Sequence, residues 1–333
     1  MVPERQDQAA DVGAVGEPPT HVRIGILGAG GISDTHARAA RAIGGVQVVA
    51  VHGTNRDKAA ALARSAGATA YDDLDAFLAH PMDVVAIGSP SGVHAEQAIA
   101  AVRRGLHVLV EKPLDISTQR IDGLIEEADR AGVTVGVFFQ DRLTPDLVDM
   151  KAAIDAGTLG TPVFASGRVK WYRPAEYYGD SRWRGTRRLD GGGVLMNQAI
   201  HTIDTLLWLF GPAARVSGRV ATRFHQIEVE DTAAAVIEFT SGAFGIIEAS
   251  TAAFPGLPRR IEVTGTRGTL VHEQEARPAI VADASGHQRV FEDFFAAIET
   301  GGTPACDARE GRRSVALIEA IYRSANSGGF EQP

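Results

Sequence analysis

The chain has 333 residues, of which 44% are hydrophobic and 22% charged, so it is long enough for two domains and has the composition of an ordinary soluble globular protein. Its net charge of −8 argues against nucleic acid as a partner, and Cys306, its single cysteine, excludes an intrachain disulfide and a thiolate-rich metal site. No apolar run approaches the roughly 20 residues that span a bilayer, so we expect no membrane partner. The single cysteine fits a cytoplasmic location, and we also expect no metal.

Residues 1–20 are small, polar and acidic. They lack the basic end and the apolar segment of a signal peptide, and we expect a disordered leader there. The segments that follow alternate between short apolar strands and helices. Strands are predicted at 22–27, 46–51, 82–88, 106–110 and 133–139, and helices at 34–43, 56–66, 96–104 and 116–131. This alternation indicates the α/β class, with a doubly wound parallel sheet in a first domain over residues 21–142.

The pattern changes after residue 142. A helix is predicted at 145–156, and another follows the three glycines 191–193 and ends at Gly211. Runs with a period of two residues then indicate strands at 233–239, 244–250 and 260–264, and two closing helices are predicted at 290–299 and 309–324. We expect a second domain over residues 143–330 with a mainly antiparallel sheet, whose last helices can pack back on the first domain.

A glycine-rich turn links the first strand to the first helix. Its sequence is Gly28-Ala29-Gly30-Gly31-Ile32-Ser33. Glycines here allow a tight turn and let the backbone approach a pyrophosphate, which then lies at the positive end of the helix. A plain tight turn is the alternative, but the strand–turn–helix context favours a dinucleotide site.

The end of the second strand bears on the choice between NAD and NADP. Thr54, Asn55 and Arg56 follow that strand, and no carboxylate precedes Asp57. An acidic residue at this place would bind the ribose 2′-hydroxyl of NAD, whereas an arginine pairs with a phosphate. The sequence therefore favours NADP, although the loop can also bring Asp57 into the site.

Two segments follow strands at the carboxyl edge of the sheet, where ligands bind in this class of fold. Ser89 and Pro90 are predicted to cover a nicotinamide, and His94 is either part of that site or only the first residue of a helix. Lys112 can donate a hydrogen bond to a substrate oxygen that gains negative charge, and it is also a candidate cofactor-binding residue. Its neighbour Glu111 can contact the nicotinamide ribose or pair with Lys112; a surface ion pair is the alternative for both.

The helix after the three glycines carries Asn197, His201 and Asp204 within about 60° of one another on a helical wheel. His201 is the natural proton carrier because its ordinary pKa lies near neutrality. We expect Asp204 to orient the imidazole and Asn197 to hold a substrate hydroxyl. A histidine with a structural role is the alternative.

Aromatic residues and five arginines alternate between residues 171 and 188. Tyr172, Trp183 and Arg184 are candidate substrate-binding residues, because aromatic rings stack on sugars and arginines bind anionic groups. The arginines favour a substrate that bears a carboxylate or phosphate. A surface loop or a subunit contact is the alternative.

These motifs together resemble the Gfo/Idh/MocA oxidoreductases, the group of glucose–fructose oxidoreductase and inositol 2-dehydrogenase. The resemblance rests on the glycine-rich turn, Ser89-Pro90 with His94, Glu111-Lys112-Pro113 and the helix with His201 and Asp204, and it runs from about residue 23 to 324. It implies an N-terminal Rossmann domain and a C-terminal α/β domain with a large open sheet that forms a homodimer or homotetramer.

The resemblance also implies the activity. Lys112 matches the catalytic lysine of the family and His201 its catalytic histidine, while Asn197 stands where inositol dehydrogenases carry an aspartate. We expect NAD(P)-dependent hydride transfer to or from a sugar, sugar acid, nucleotide sugar or cyclitol. A non-catalytic cofactor-binding sensor and a dehydrogenase of a small non-sugar compound are the alternatives.

Overall fold

The computed structural model describes residues 21–275 and 284–333, so the predicted leader at 1–20 lies outside the described residues. Two six-stranded sheets organise the chain, the first before residue 140 and the second after residue 160. Within the described residues, no helix combines the length and the apolar character that crossing a membrane requires.

The first sheet is entirely parallel, as the alternation of strands and helices predicts. Its strands are β1 (Val22–Leu27), β2 (Val46–His52), β3 (Thr69–Tyr71), β4 (Val84–Ile87), β5 (His107–Val110) and β6 (Val135–Val137). Its helices are α1 (Gly31–Arg41), α2 (Arg56–Ala66), α3 (Leu74–Leu78), α4 (His94–Val102) and α5 (Thr118–Ala131). The strand order β3-β2-β1-β4-β5-β6 places the ends of β1 and β4 side by side, at the switch point where a dinucleotide binds in such a sheet.

The second sheet is mixed and mostly antiparallel, which confirms the predicted fold class. After α6 (Pro145–Asp155) come β7 (Pro162–Lys170), the short α7 (Ala175–Gly179), α8 (Ile200–Phe210), β8 (Ala213–Ala221), β9 (Thr232–Phe239), β10 (Phe244–Ser250), β11 (Arg259–Gly265) and β12 (Gly268–Gln274). The strand order is β12-β11-β7-β10-β9-β8, and β7 and β10 are the parallel pair.

Two helices close the chain. They are α9 (Ala284–Thr300) and α10 (Ala308–Ser327). In α9, which packs on α1, Phe291 and Phe294 are fully buried in the core of the first sheet, and each buried ring of this size contributes roughly 1.5–3 kcal/mol. In contrast, α10 packs on β8 and α8 and also contacts α5. The carboxyl edge of the parallel sheet faces the start of α8, since Lys112, just after β5, hydrogen-bonds residue 197, just before α8.

Candidate active site

The glycine-rich turn has the shape that a pyrophosphate requires. Gly28 has a φ of 124°, and a Cβ there would approach the Gly88 carbonyl oxygen to 2.8 Å. A Cβ at Gly30 or Gly31 would meet no other residue within 4 Å, so it would fill the open space where a phosphate group fits. Because no side chain caps α1, its first N–H groups are available to an anion. The turn fits a dinucleotide.

Thr54, Asn55 and Arg56 are exposed at the carboxyl end of β2. Asn55 caps α2, since its side-chain oxygen accepts a hydrogen bond from the Lys58 N–H at 3.0 Å. Arg56 forms an ion pair with Asp72. The guanidinium thus lies at the edge of the dinucleotide site, with an acidic partner that a phosphate would have to displace.

His94 links two strand ends and does not face the cleft. Its Nδ1 lies 2.8 Å from the Pro113 carbonyl oxygen and its Nε2 lies 2.8 Å from the Ser89 carbonyl oxygen. The ring is buried, so both nitrogens are used within the protein. These contacts support a positioning role, in which His94 holds Ser89 against the segment that carries Lys112, and its contact with the cofactor stays a prediction.

Glu111 binds two histidines instead of the side chain of Lys112. Its Oε1 accepts hydrogen bonds from Nε2 of His36 at 2.9 Å and from Nε2 of His287 at 3.0 Å, and all three side chains are buried. Burial alone would raise the pKa of Glu111, but the two imidazoles outweigh it and hold this pKa well below its usual range. Glu111 therefore ties α1 and α9 to the end of β5, which corrects the expected ion pair with the side chain of Lys112; its contact with the nicotinamide ribose stays a prediction.

Lys112 reaches across to the second domain. Its Nζ donates a hydrogen bond to the backbone carbonyl oxygen of Asn197 at 2.7 Å. The side-chain Nδ2 of Asn197 donates in turn to Oδ1 of Asp190 at 2.8 Å. Burial lowers the pKa of Lys112, which the charges of Glu111 and Asp190 partly oppose. Lys112 and Asn197, predicted separately from two motifs, are thus brought together.

Asp190 is a site residue that the sequence does not single out. Its carboxylate is buried and also accepts a hydrogen bond from the Gly185 N–H at 2.8 Å. Burial raises the pKa of Asp190 to about 6, against these hydrogen bonds. With Nδ2 of Asn197 donating to Asp190, the amide has its Oδ1 left to accept a hydrogen bond from a substrate hydroxyl.

His201 lies in the same electrostatic environment. Burial lowers its pKa to about 3, and the charge of Lys112 adds to this effect while that of Asp141 opposes it. The imidazole is therefore neutral at pH 7 and ready to accept a proton. Phe139 contacts the ring edge-on, with centroids 5.7 Å apart. Nδ1 of His201 is buried and forms no hydrogen bond within the described part of the chain.

The carboxylate near His201 is Asp141, not Asp204 as expected. Asp204 is fully buried and binds Nε and Nη2 of Arg142 at 2.8 Å each, with a further hydrogen bond from Ser314 Oγ at 3.1 Å. A buried guanidinium needs such a partner, and Asp204 satisfies it inside the core. The prediction that Asp204 orients His201 or contacts substrate is therefore corrected.

Asp141 is paired with Arg259 of β11. The distance from Oδ2 of Asp141 to Nη2 of Arg259 is 2.5 Å, and Nε of Arg259 donates to Oγ1 of Thr202, the residue after His201, at 2.7 Å. The predicted single helix also begins differently, because residues 194–199 form a π-helical turn before α8. Such turns are frequent at functional sites, and this one carries Asn197.

The three glycines allow close packing at the start of this helix. Glu230 caps it, because its Oε2 accepts from the Gly193 N–H and its Oε1 from the Leu195 N–H, each at 2.9 Å. A Cβ at Gly193 would lie only 1.7 Å from the Glu230 carbonyl oxygen. A larger residue would therefore push apart the segments that place Asn197 and His201.

We expect Gly193→Ala to lower the free energy of unfolding by about 3 kcal/mol, because the added methyl group overlaps backbone that cannot move freely. Gly123→Ala in α5 is the matched control: a Cβ there meets nothing within 4 Å, so the change should stabilise the protein by about 0.5–1 kcal/mol. Urea titration followed by circular dichroism measures both. Equal stability of the two variants would contradict the close approach at Gly193.

The aromatic–arginine segment divides between two locations. Tyr172 packs edge-on against Phe254, with ring centroids 5.2 Å apart, and its centroid lies 6.2 Å from that of Phe224. Trp183 lies beside Arg184, whose Cζ is 5.5 Å from the indole centroid. The charge of Arg184 lowers the pKa of Lys112, so Arg184 belongs to the cleft. For Tyr172, binding of substrate stays a prediction.

Sequence reasoning missed Asp190, Asp141 and Glu230. Of the three, only Asp190 lies beside a motif, directly before the three glycines. An acidic residue next to a predicted helix start could have indicated a site residue there. Asp141 acquires its role from Arg259, and Glu230 from a helix start distant in sequence. Neither pairing follows from local spacing.

Comparison with known proteins agrees with this geometry. Residues 22–139 match the family described as an oxidoreductase family with an NAD-binding Rossmann fold, and residues 147–271 match the GFO/IDH/MocA C-terminal domain. The scyllo-inositol 2-dehydrogenase (NAD(+)) of Bacillus subtilis is 31% identical over 75% of this chain and 73% of its own length. The D-xylose 1-dehydrogenase (NADP(+)) 2 of Haloferax volcanii is 30% identical over 92% of this chain and 98% of its own.

A solved structure is similar throughout. The WlbA dehydrogenase from Bordetella pertussis, in complex with NADH and UDP-GlcNAcA, superimposes with a TM-score of 0.88 and 32% sequence identity, covering 95% of this chain and 99% of that one. The similarity thus extends over both six-stranded sheets. The chain belongs to the Gfo/Idh/MocA family of NAD-binding oxidoreductases.

Proposed function

We propose that this protein is an NAD(P)-dependent oxidoreductase that transfers a hydride between C4 of the nicotinamide and a carbinol or ketone carbon of a polyhydroxylated substrate. The observation that carries this proposal is the hydrogen bond between Lys112 and Asn197, with a neutral His201 that feels the charge of Lys112. A hydroxyl placed there would meet a proton acceptor and a cation together. The relatives named above support the same reaction class.

Each polar residue of the cleft has its own role in the proposed reaction. In the oxidising direction, the bound nicotinamide supplies the hydride acceptor. His201 takes the hydroxyl proton, which it can do because its imidazole is neutral. Lys112 Nζ donates a hydrogen bond to the same oxygen and stabilises its developing negative charge. Asn197 Oδ1, oriented by Asp190, accepts a hydrogen bond from a second hydroxyl.

The substrate class follows from these groups and from the relatives. A donor, an acceptor and a proton carrier around one cleft match a substrate with several hydroxyl groups, that is, a sugar, sugar acid, nucleotide sugar or cyclitol. The relatives include an inositol dehydrogenase and a xylose dehydrogenase, and the similar solved structure contains UDP-GlcNAcA. The amide of Asn197 can accept a hydrogen bond from a substrate hydroxyl without carrying charge.

The cofactor preference is proposed to be NADP. Thr54, Asn55 and Arg56 lie exposed at the end of β2 with no acidic residue among them, and a 2′-phosphate would displace Asp72 from Arg56. We expect Arg56→Ala to raise the KM for NADPH about tenfold and to leave the KM for NADH nearly unchanged, because only NADPH carries the 2′-phosphate with which the guanidinium would pair in place of Asp72. Steady-state kinetics with both cofactors measures this. Equal effects on NADH and NADPH would refute the role of Arg56.

We also propose a homodimer or homotetramer in the cytoplasm, assembled through the open face of the second sheet. Val236, Phe244 and Val271 are exposed on the face that α8 and α10 leave uncovered. Exposed apolar side chains in a row on one sheet face favour contact with a second copy. Sedimentation of the wild type and of Phe244→Glu tests the assignment, since the charge should shift the equilibrium toward monomer.

The central experiment combines binding and turnover. NADH and NADPH are titrated into the purified protein by fluorescence, and nicotinamide absorbance is then followed with pooled sugars, sugar acids, cyclitols and nucleotide sugars. Cofactor binding with turnover on one pool supports the proposed function. Binding without turnover on any pool favours a non-catalytic sensor instead, and failure to bind either cofactor refutes the proposal.

A further inference from the structure

A stack of two guanidiniums and one phenol ring lies beside Lys112. The Cζ atoms of Arg173 and Arg184 lie 5.4 Å and 4.4 Å from the centroid of the Tyr177 ring. We call Arg173, Tyr177 and Arg184 the arginine–tyrosine stack. The ring of Trp171 supports Arg173 with a Cζ–centroid distance of 5.0 Å. Two like charges are thus held together by aromatic faces, which orient them but do not neutralise them.

The charges of this stack have no acidic partner. Within residues 21–275 and 284–333, neither Arg173 nor Arg184 forms an ion pair, and the Nε atoms of both are buried without a hydrogen bond. Arg173 is only 7% exposed. The two other buried arginines of the described residues, Arg142 and Arg259, are both paired with aspartates. A buried cation without an anion destabilises the folded state, so the stack is electrostatically incomplete.

The stack lies close to Lys112, the proposed donor to the reacting oxygen. The charges of Arg173 and Arg184 both lower the pKa of Lys112. The Tyr177 hydroxyl accepts a hydrogen bond from Nε2 of Gln198 at 3.1 Å, and Gln198 follows Asn197, whose carbonyl oxygen binds Lys112. An anion bound to the stack is therefore within the span of one substrate molecule from Lys112.

Asp190 is not the counter-ion of the arginine–tyrosine stack. The charge of Arg184 lowers the pKa of Asp190, but the two oxygens of Asp190 accept hydrogen bonds from the Gly185 N–H and from Asn197 Nδ2. Burial also raises the pKa of Asp190, so this carboxylate is a weak counter-ion close to neutral pH. The positive potential of the stack thus remains for a group that arrives from outside the protein.

We propose that the arginine–tyrosine stack is a subsite for an anionic group of the substrate, a carboxylate or a phosphate carried by the sugar. This proposal rests on the proposed function and narrows its substrate class to charged sugars. A planar guanidinium binds either oxyanion in a bidentate manner, and the burial of Arg173 strengthens the contact. A neutral sugar would leave both guanidiniums without an anion.

The test compares matched probes on the full-length protein saturated with NADH. Calorimetry measures the affinities for D-glucuronate and D-glucose, which differ by a carboxylate, and for D-glucose 6-phosphate and UDP-glucose, which carry phosphate at different positions. At least one anionic probe should bind about 10- to 100-fold more tightly than D-glucose, and the best probe identifies the source of the anion. Equal affinities, or no saturable binding of any anionic probe, would overturn the proposal.

Variants assign the effect to the stack. Arg173→Gln and Arg184→Gln should each remove most of the preference for the anionic probe, by about 10-fold or more, and change the affinity for D-glucose little. Arg187→Gln is the matched control, since Arg187 is exposed on the same segment and belongs to no aromatic stack. Circular dichroism checks the fold; if Arg173→Gln unfolds, the half-buried Arg184 still carries the test. An unchanged preference in Arg184→Gln would overturn the assignment.

Failure of this inference is distinguishable from failure of the proposed function. NADH binding and turnover of a neutral sugar, without a preference for anionic probes, would refute the subsite and leave the oxidoreductase intact. Loss of NADH and NADPH binding would refute the oxidoreductase itself. A third outcome is that the protein turns over no sugar but binds the anionic probe more tightly, and that Arg184→Gln abolishes this preference. That outcome would support the subsite alone.

Discussion

Lys112→Ala should lower kcat by about two to four orders of magnitude in both directions of the reaction. The variant removes the cation that donates to the reacting oxygen, and it leaves the glycine-rich turn untouched. Lys112 also holds the carbonyl oxygen of Asn197 at 2.7 Å, so part of the loss will come from the position of the substrate hydroxyls. Stopped-flow measurement of single-turnover hydride transfer separates the chemical step from product release.

The controls for Lys112 are cofactor binding and a conservative exchange. NADH and NADPH should bind to Lys112→Ala with affinities within about threefold of the wild type, because the pyrophosphate and ribose contacts lie elsewhere. Lys112→Arg keeps the charge but cannot place a compact ammonium between Asn197 and the substrate, so we expect it to recover only part of the rate. A wild-type kcat in Lys112→Ala would contradict the assigned role.

The parallel sheet could be predicted from sequence because burial on both faces makes its strands continuous apolar runs. β4 shows this well, since all four of its residues are buried. The missed strand β3 has only three residues, and none of them is buried. β7 was missed because its outward positions carry Ser166, Arg168 and Lys170, and its inward position 167 is a glycine against α8. Pairing on both sides, not propensity, makes this segment a strand.

The candidate site could be predicted in its parts but not in its pairings. A helical wheel places His201 and Asp204 on one stripe, yet it contains no information about Arg142, which binds Asp204 in the core. The π-helical turn at 194–199 also changes the angles that a regular helix would give. Long-range charge pairs such as Asp141 with Arg259 depend on how two sheets approach each other, and no local pattern encodes that.

The pH dependence separates His201 from Asp190. His201 has a pKa of about 3, so it stays neutral as the pH falls from 8 to 5 and is not the source of an acidic loss of kcat/KM in that range. Asp190 has a pKa of about 6 and gains a proton in that range. Its protonation removes a charge that favours cationic Lys112 and weakens the hold on Asn197. We therefore expect an acidic limb of kcat/KM near pH 6 that depends on Asp190.

We expect His201→Asn to lower kcat for oxidation by about two to four orders of magnitude across this whole range, because the amide keeps the size and polarity of the site but cannot accept a proton. The limb near pH 6 should stay in place in this variant. Asp190→Asn is the matched control: it should keep much more of the plateau rate and lose the limb. Profiles of kcat/KM for the wild type and both variants measure this, and a limb that moves in His201→Asn but not in Asp190→Asn would reverse the two assignments.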